Sequence, residues 1–256
     1  MLRCTYDACH EFEGGSWNAA YCPDCSCKRK REASVKRLSA PVTGDAELWQ
    51  LQEDRKMGKL LVSQEKNDWI LKNKSFAMFD LETSNLDANF GEILCGCIKP
   101  LYGKITTFAI PTFEAGDPWT LISDNEVAVQ LRDELRKYDY IVTWFGTRFD
   151  MPYLTTRLID SREEKIGPIR HLDLYYTSRW KLKLHSNRLA AVGDFLFGKT
   201  KKDNYAGNTW MQALRGHKPA IDYVVKHCEK DVEELERVFE ELAPFRNIAA
   251  TALKDY

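Results

Sequence analysis

The sequence predicts a mixed α/β fold in which helices pack on a central β-sheet, preceded by a small cysteine-rich module. Three strand-like segments follow one another after residue 75, and helical and strand-like segments alternate from residue 123 onward. Consecutive strands followed by alternating elements are typical of layered α/β architectures. The chain has 256 residues, of which 44% are hydrophobic, so it can bury one large core and carry one small module.

The first half of the chain contains one helical segment and then three strands. Residues 45–72 have mixed helical periodicity and are expected to form a helix. Three short apolar runs follow, with Gly103 at the turn between the last two, and each run predicts a strand. These runs are "SFAMFDLE", "EILCGCIKP" and "KITTFAIP".

The second half alternates helices and strands. "SDNEVAVQLRDELRKY" begins with capping residues and places apolar residues four apart, so it predicts an amphipathic helix. The remaining segments are, in order, a strand "YIVTWF", a short helix "PYLTTRLID", a strand "IRHLDLYY", a helix "RLAAVGDFLFG" ending at Gly198, and a long helix "AIDYVVKHCEKDVEELERVFEELAPF" closed by Pro244.

The formal net charge of −1 does not by itself indicate a nucleic-acid-binding protein. Charge is uneven, however, because residues 28–37 ("KRKREASVKR") carry six Lys or Arg residues against one Glu. The amino terminus has no apolar leader, and no run of eighteen apolar residues exists. We therefore expect a cytoplasmic protein without a membrane partner.

Two carboxylates stand at the end of the first strand, in "FDLET". Asp80 and Glu82 are two residues apart, so they project from the same face of the strand. Two such acids repel each other in an apolar neighbourhood, and a hard cation such as Mg²⁺ would relieve that repulsion. Taken alone, the pattern also fits surface acids where a strand runs into a polar loop.

Two more acids occur at informative places. Asp150 follows a strand-to-helix turn, with Pro152 in the first helical turn, and it could be a cation ligand or only the N-cap of the helix. Asp231 lies four residues after His227 on the apolar face of the last helix. A solvated helix face is the alternative for Asp231, but its apolar neighbours favour an inward position.

These segments together resemble the DEDD (DnaQ-like) 3′–5′ exonucleases, which have a ribonuclease H-like fold. The resemblance covers residues 75–243 and depends on "FDLET", G-x-x-F-D-x-P-Y-L and H-x-x-x-D-V, which occur in the family's order. "RHLDLYYTSRWKLKL" is similar to the branch that contains the YprB-like nucleases and the family-B polymerase exonuclease domains. The resemblance implies a ribonuclease H-like mixed β-sheet flanked by helices.

The resemblance also implies a two-metal mechanism. The four acids that would bind two Mg²⁺ or Mn²⁺ ions are Asp80, Glu82, Asp150 and Asp231, and Asp80 would touch both ions. His227 would be the general base. The family places a Tyr four residues, or a His five residues, before the last Asp, so His227 stands in the tyrosine register; a packed histidine is the alternative.

Substrate contacts follow from the same resemblance. Thr83 and Phe145 would contact the substrate, and Phe145 is a departure because many relatives have Asn at this position. Asp173 in "HLDLY" is expected to hold a loop rather than to bind metal.

Five of the eight cysteines lie in the first 27 residues. Cys4, Cys9, Cys22 and Cys25 form C-x4-C and C-x2-C pairs separated by twelve residues, a pattern that resembles a zinc ribbon with one structural Zn²⁺. His10 could replace Cys9, and Cys27 could replace Cys25. Free thiols are the alternative, but so short a module needs a staple such as zinc.

Each of two basic segments has two interpretations from the residues alone, and both stay open. The run at 28–37 is either a solvated linker or a phosphate-binding segment. The segment "GKTKKDNYAGNTW" is either a surface loop or a strand-guiding loop in which Lys199, Lys201 and Lys202 bind substrate beside aromatic residues.

The sequence thus predicts a zinc ribbon at 1–27, a basic linker and helical segment at 28–72, and a 3′–5′ exonuclease domain at 73–256. The expected substrate is DNA in preference to RNA, and the expected partners are replication or repair proteins. The alternatives are a ribonuclease of the same fold and a catalytically weak nucleic-acid-binding protein.

Overall fold

The computed structural model describes residues 2–3, 11–12, 42–112, 123–198 and 208–256, which fall in two compact units, Met1–Leu60 and Leu61–Tyr256. In the first unit, strands β1 (Leu2–Arg3) and β2 (Glu11–Phe12) pair antiparallel. Helix α1 (Val42–Asn73) extends the helix that the sequence predicts for 45–72.

The proposed zinc ligands lie outside the described residues, as do the basic run at 28–37 and three lysines. These residues are Cys4, Cys9, Cys22, Cys25, the substitutes His10 and Cys27, and Lys199, Lys201 and Lys202.

The second unit is built on a six-stranded mixed sheet with the strand order β5-β4-β3-β6-β7-β8. Strands β3, β6 and β7 are parallel neighbours, whereas β4, β5 and β8 run antiparallel to the strands beside them. The strands are β3 (Phe76–Thr83), β4 (Ile93–Pro100), β5 (Thr106–Ala109), β6 (Tyr140–Thr143), β7 (Pro168–Asp173) and β8 (Leu253–Asp255).

Helices cover both faces of this sheet. Helix α2 faces Gly96 of β4 through Leu131, whereas α7 approaches the opposite face of the same strand, where Cys95 and Cys97 project. The helices of the second unit that follow α1 are α2 (Asn125–Leu135), α3 (Asp150–Asp160), α4 (Leu174–Lys181), α5 (Leu189–Phe197), α6 (Thr209–Leu214) and α7 (Lys218–Leu242), with 3₁₀ turns at Ala243–Phe245 and Ile248–Ala250.

Strand β3 is the centre of the core. Its first four residues, 76–79, are all buried, as expected for a strand covered on both faces. Cys95, Cys97 and Cys228 are also buried, so the two strand cysteines are core thiols.

A buried ion pair fastens α3 to the residue that precedes α2. Arg157 Nε lies 2.8 Å from Asp124 Oδ2, and Arg157 Nη2 lies 2.8 Å from Asp124 Oδ1. Asp124 is fully buried, and its Oδ2 also accepts the Ile93 amide at 2.7 Å. This network holds helices α2 and α3 against the amino end of β4.

The strand predicted for "IRHLDLYY" is shorter than expected. Strand β7 ends at Asp173, and helix α4 starts at Leu174 because the Asp173 carboxylate accepts the Tyr175 amide at 3.2 Å and caps that helix. Similarly, "YIVTWF" forms strand only through Thr143 because Phe145 adopts a positive φ of 65°. No helix in the described ranges is both long and apolar enough to cross a membrane.

Candidate active site

Strand β3 presents two acids on one face at its carboxyl end. Asp80 pairs opposite Cys97, and Glu82 pairs opposite Cys95; the register shifts just after Glu82. This face is turned toward α7, because Cys228 Sγ lies 3.5 Å from Asp80 Oδ2 and 3.4 Å from the Asp80 carbonyl oxygen. The polar end of a buried strand therefore lies directly under the last long helix.

Asp150 reaches the same place from α3. It is the first residue of that helix, is only 2% exposed, and accepts the Leu81 amide on Oδ1 at 3.0 Å. Phe149 occupies the N-cap position. The Asp150 carboxylate is thus directed at β3, between the two strand acids, so N-capping does not account for it.

Helix α7 brings Asp231 and His227 to the other side of Glu82. His227 Nε2 lies 3.9 Å from Glu82 Oε1. One potential ligand atom from each of Glu82, His227 and Asp231 lies within 4.8 Å of the other two. The five proposed catalytic residues therefore converge from one strand and two helices.

Burial raises the pKa values of all four acids, and the charges of neighbouring carboxylates in the group raise those of Asp80 and Glu82 further. Burial raises the pKa of Asp80 well above its ordinary value, and the charges of Asp150, Asp231 and Glu82 raise it further. Burial raises the pKa of Glu82 to about 8, against the lowering effect of a hydrogen bond from Trp210. Burial also raises the pKa of Asp150 to about 7 and raises that of Asp231. Such mutual repulsion is what a bound cation would relieve.

Two residues at the site were not found from the sequence. Trp210 Nε1–H donates to Glu82 Oε2 at 3.0 Å across 128 positions, and Cys228 contacts Asp80. No spacing connects Trp210 with Glu82 in the sequence. Cys228 lies three residues before Asp231 on the same helix, which is the only signal that could have placed it near the acids.

The loop after β6 is held by Asp173. Its Oδ1 accepts the Phe145 amide at 2.9 Å, and its Oδ2 accepts the Thr147 amide at 2.9 Å. The same side chain caps α4. Asp173 therefore holds a loop, in agreement with the sequence-based expectation, and it fixes Phe145 in its positive-φ conformation with the ring 40% exposed.

A family model described as the RNase H superfamily matches residues 77–243. This range is more than half of the chain and contains all four acids. The chain belongs to the RNase H superfamily.

A solved structure of the family B DNA polymerase from the hyperthermophilic archaeon Pyrobaculum calidifontis also matches this RNase H superfamily chain. The TM-score is 0.50 and the sequence identity is 18%, over 70% of this chain and 27% of the polymerase chain. At this identity the match shows a shared fold. A search of curated protein sequences finds no significant match.

Membership of the RNase H superfamily indicates a nuclease with a nucleic-acid substrate. RNase H-like nucleases typically use divalent metal ions, and the donor set here fits such ions. Carboxylate oxygens are the ligands that Mg²⁺ and Mn²⁺ prefer, and four of them meet here with raised pKa values.

Of the proposed substrate contacts, two lie in the described residues. Thr83 ends β3, and its hydroxyl donates to the Asn85 carbonyl at 2.8 Å, so it helps to form the turn that follows the strand. Phe145 lies at the carboxyl end of β6, next to the strand that carries the first two acids.

Proposed function

We propose that this RNase H superfamily chain is a metal-dependent exonuclease that removes nucleotides from the 3′ end of a DNA strand. One observation carries the proposal: four carboxylates from β3, α3 and α7 meet at one place, where burial raises the pKa of each and the neighbouring acids raise those of Asp80 and Glu82 further. Isolated acids on a protein surface do not show this pattern, since water would screen their charges.

The resemblance of the three acidic segments to the DEDD exonucleases supports the 3′–5′ polarity. DNA is favoured as substrate because the matched structure is that of a DNA polymerase. Replication or repair proteins are the partners that such an activity would serve.

The ligands of two Mg²⁺ or Mn²⁺ ions would be Asp80, Glu82, Asp150 and Asp231. When bound, such ions supply Lewis acidity and lower the pKa of a coordinated water. The chain's own part is to hold these oxygens in place. Trp210 orients Glu82 through its hydrogen bond, and the Leu81 amide orients Asp150.

His227 would be the general base. Its ring is partly exposed, with a side-chain exposure of 37%, and its Nε2 lies beside Glu82. As a general base, its Nε2 atom would accept a proton from the attacking water molecule. The edge-on contact between the Trp210 and His227 rings, with centroids 5.9 Å apart, limits how far the imidazole can turn.

The remaining parts of the proposal concern the first 72 residues. We place a zinc ribbon at 1–27, with Cys4, Cys9, Cys22 and Cys25 as the ligands of one structural Zn²⁺, and a basic linker and helical segment at 28–72. These would add a sequence-independent attraction to phosphates, which weakens as salt rises.

The test is degradation of a 5′-labelled single-stranded DNA and of its RNA counterpart with Mn²⁺. The wild-type protein should shorten the DNA from the 3′ end as a ladder, and Asp231→Asn should abolish the ladder. Asp222→Asn is the matched control, because Asp222 is an exposed acid on the same helix whose partner is Lys218.

Each outcome is decisive for one part of the proposal. A ladder with RNA and none with DNA would show that the substrate is RNA. Internal cuts instead of a ladder would refute exonuclease action. Folded wild-type protein that binds both strands and cuts neither would make the chain a nucleic-acid-binding protein.

A further inference from the structure

A cleft opens beside the four acids, at the carboxyl ends of β6 and β7. Trp144 and Phe145 follow β6, and Tyr175 follows β7 in the first turn of α4. The three parallel strands lie in the order β3-β6-β7. Because neighbouring strands are about 4.8 Å apart, the cleft begins on the order of 10 Å from the acids at the end of β3.

Aromatic rings form one wall of this cleft. The Phe145 and Tyr175 ring centroids are 4.7 Å apart, and those of Trp144 and Tyr175 are 6.3 Å apart, both with edge-on geometry. The opposite wall consists of residues 185–189. The cleft is open to solvent and has a volume of about 550 Å³, within the range of small-ligand sites. We call this feature the aromatic cleft.

The walls are held in place by hydrogen bonds that the catalytic proposal does not require. Trp144 Nε1–H donates to the Asn187 carbonyl at 3.0 Å and thereby joins the two walls. The Asp173 carboxylate, on a residue only 5% exposed, accepts amides from both aromatic-bearing segments, those of Phe145 and Tyr175. The aromatic cleft is therefore a formed site, and its polar support is buried.

The chain around the aromatic cleft is positively charged. From Leu174 to Gly193 there are four Lys or Arg residues and no Asp or Glu. All four are exposed, and in the part of the chain that the structure describes none of them forms an ion pair with a carboxylate. They are Arg179, Lys181, Lys183 and Arg188.

We propose that the aromatic cleft stacks one unpaired base of the substrate strand, with Arg188 beside the adjoining phosphate. Partly exposed aromatic rings in a basic groove are features by which proteins bind single-stranded nucleic acid, since every base has a stacking face and every nucleotide a charge. This inference rests on the proposed function, because the strand bound in the aromatic cleft is taken to be the strand that the four acids cleave.

The test measures binding, so it does not depend on cleavage. Asp80→Asn protein in EDTA is titrated into a 5′-fluorescein-labelled twelve-residue oligodeoxythymidylate, and binding is followed by anisotropy. One base at a time is replaced by an abasic site over the four 3′-terminal positions. At one position the abasic site should weaken binding roughly ten-fold, the loss expected for one stacked base.

Adding Tyr175→Leu should weaken binding of the intact oligonucleotide by a similar factor and make the abasic site at that position silent. Tyr175→Phe keeps the ring and should keep both the affinity and the abasic effect. Arg188→Gln should lower the affinity and reduce the slope of log K against log salt by about one. The matched controls are Trp69→Leu and Lys66→Gln, exposed residues on α1 that should change neither quantity.

The inference would be overturned if folded Tyr175→Leu protein bound the oligonucleotide with the same affinity as the Trp69→Leu control. It would also be overturned if the abasic sites weakened binding equally in the Asp80→Asn protein with and without Tyr175→Leu. If Tyr175→Leu does not fold, an unchanged salt slope in Arg188→Gln overturns it. This result is separable from the proposed function. The wild-type protein could fail to cut DNA while the abasic effect still depends on Tyr175, or it could cut DNA while the abasic effect does not depend on Tyr175.

Discussion

Glu82→Gln should stabilise the metal-free protein while abolishing its activity. Glu82 is held next to Asp80, Asp150 and Asp231 with only 14% of its side chain exposed. A neutral amide of the same shape keeps an acceptor for Trp210 but removes the charge that burial and its neighbours oppose. The free energy of unfolding in EDTA should therefore rise.

The size of this effect follows from the pKa shift. Burial raises the pKa of Glu82 from 4.5 to about 8. At pH 7 the side chain is then largely protonated in the folded protein but ionised in the unfolded chain, a difference of about 3 kcal/mol. Because the pKa of Glu82 is higher in the folded protein than in the unfolded chain, its protonation favours folding at low pH. The free energy of unfolding therefore decreases as pH rises from 4.5 to 8. The gap between variant and wild type should be under about 1 kcal/mol at pH 4.5 and reach about 3 kcal/mol at pH 7.

The assay is thermal and urea unfolding of both proteins in EDTA at the two pH values, repeated with Mn²⁺. A gain of about 3 kcal/mol corresponds to roughly 6–12 °C in Tm for a unit of this size. Mn²⁺ should then narrow the gap, because an ion at a hundred times its Kd adds about 2.7 kcal/mol to the protein that binds it. Glu82→Gln lacks one ligand and should gain less.

Asp222→Asn is the control for removal of a carboxylate that is not held among other acids. It should leave Tm within about 2 °C of wild type. A Glu82→Gln protein that is equal to or less stable than wild type in EDTA at pH 7 would refute the reasoning. An identical Mn²⁺ response in both proteins would refute the role of Glu82 as a ligand.

Three further predictions concern the supports of the site. Trp210→Phe removes the hydrogen bond to Glu82, and the Mn²⁺ concentration for half-maximal cleavage should rise ten-fold or more, as typically follows loss of a group that orients a ligand; an unchanged metal requirement would contradict this. Arg157→Met leaves the buried aspartate of its ion pair uncompensated and should cost about 3–5 kcal/mol in urea unfolding, whereas Lys218→Met, which breaks an exposed pair, should cost less than about 1 kcal/mol. Burial lowers the pKa of His171 from 6.5 to about 3, so its unfolded form binds the extra proton and stability should fall by about 2 kcal/mol between pH 7 and 5; His171→Gln should lose that part of the slope, and equal slopes would contradict the assignment.

The parts of the site that local periodicity fixes could be predicted from the sequence. Asp80 and Glu82 share a face because strand side chains alternate, and His227 and Asp231 share a face because they are one helical turn apart. Asp150 could be placed at a strand-to-helix turn for similar reasons. In each case the backbone geometry follows from residues close in sequence.

The rest depends on contacts between distant segments. The bond from Trp210 to Glu82 depends on where the short helix α6 lies. The positive φ of Phe145 is imposed by Asp173, a residue 28 positions later, and no property of a phenylalanine predicts it. Strand β8 has only three residues, Leu253–Asp255, and it is a strand because β7 offers it an edge. Tertiary context outweighs propensity at all three places.

Asp173 links the two loops of the proposed binding cleft, which lies beside the proposed catalytic acids. The acids belong to β3, α3 and α7, whereas the aromatic cleft belongs to the loops after β6 and β7, which Asp173 joins. Both sets of residues stand at the same edge of the sheet because β3, β6 and β7 are parallel neighbours. The loop after β6 therefore has two roles, because it carries Phe145 into the aromatic cleft and leads into α3 at Asp150. If the aromatic cleft binds the substrate strand as proposed, Phe145 in place of the asparagine found in many relatives would change how that strand is held.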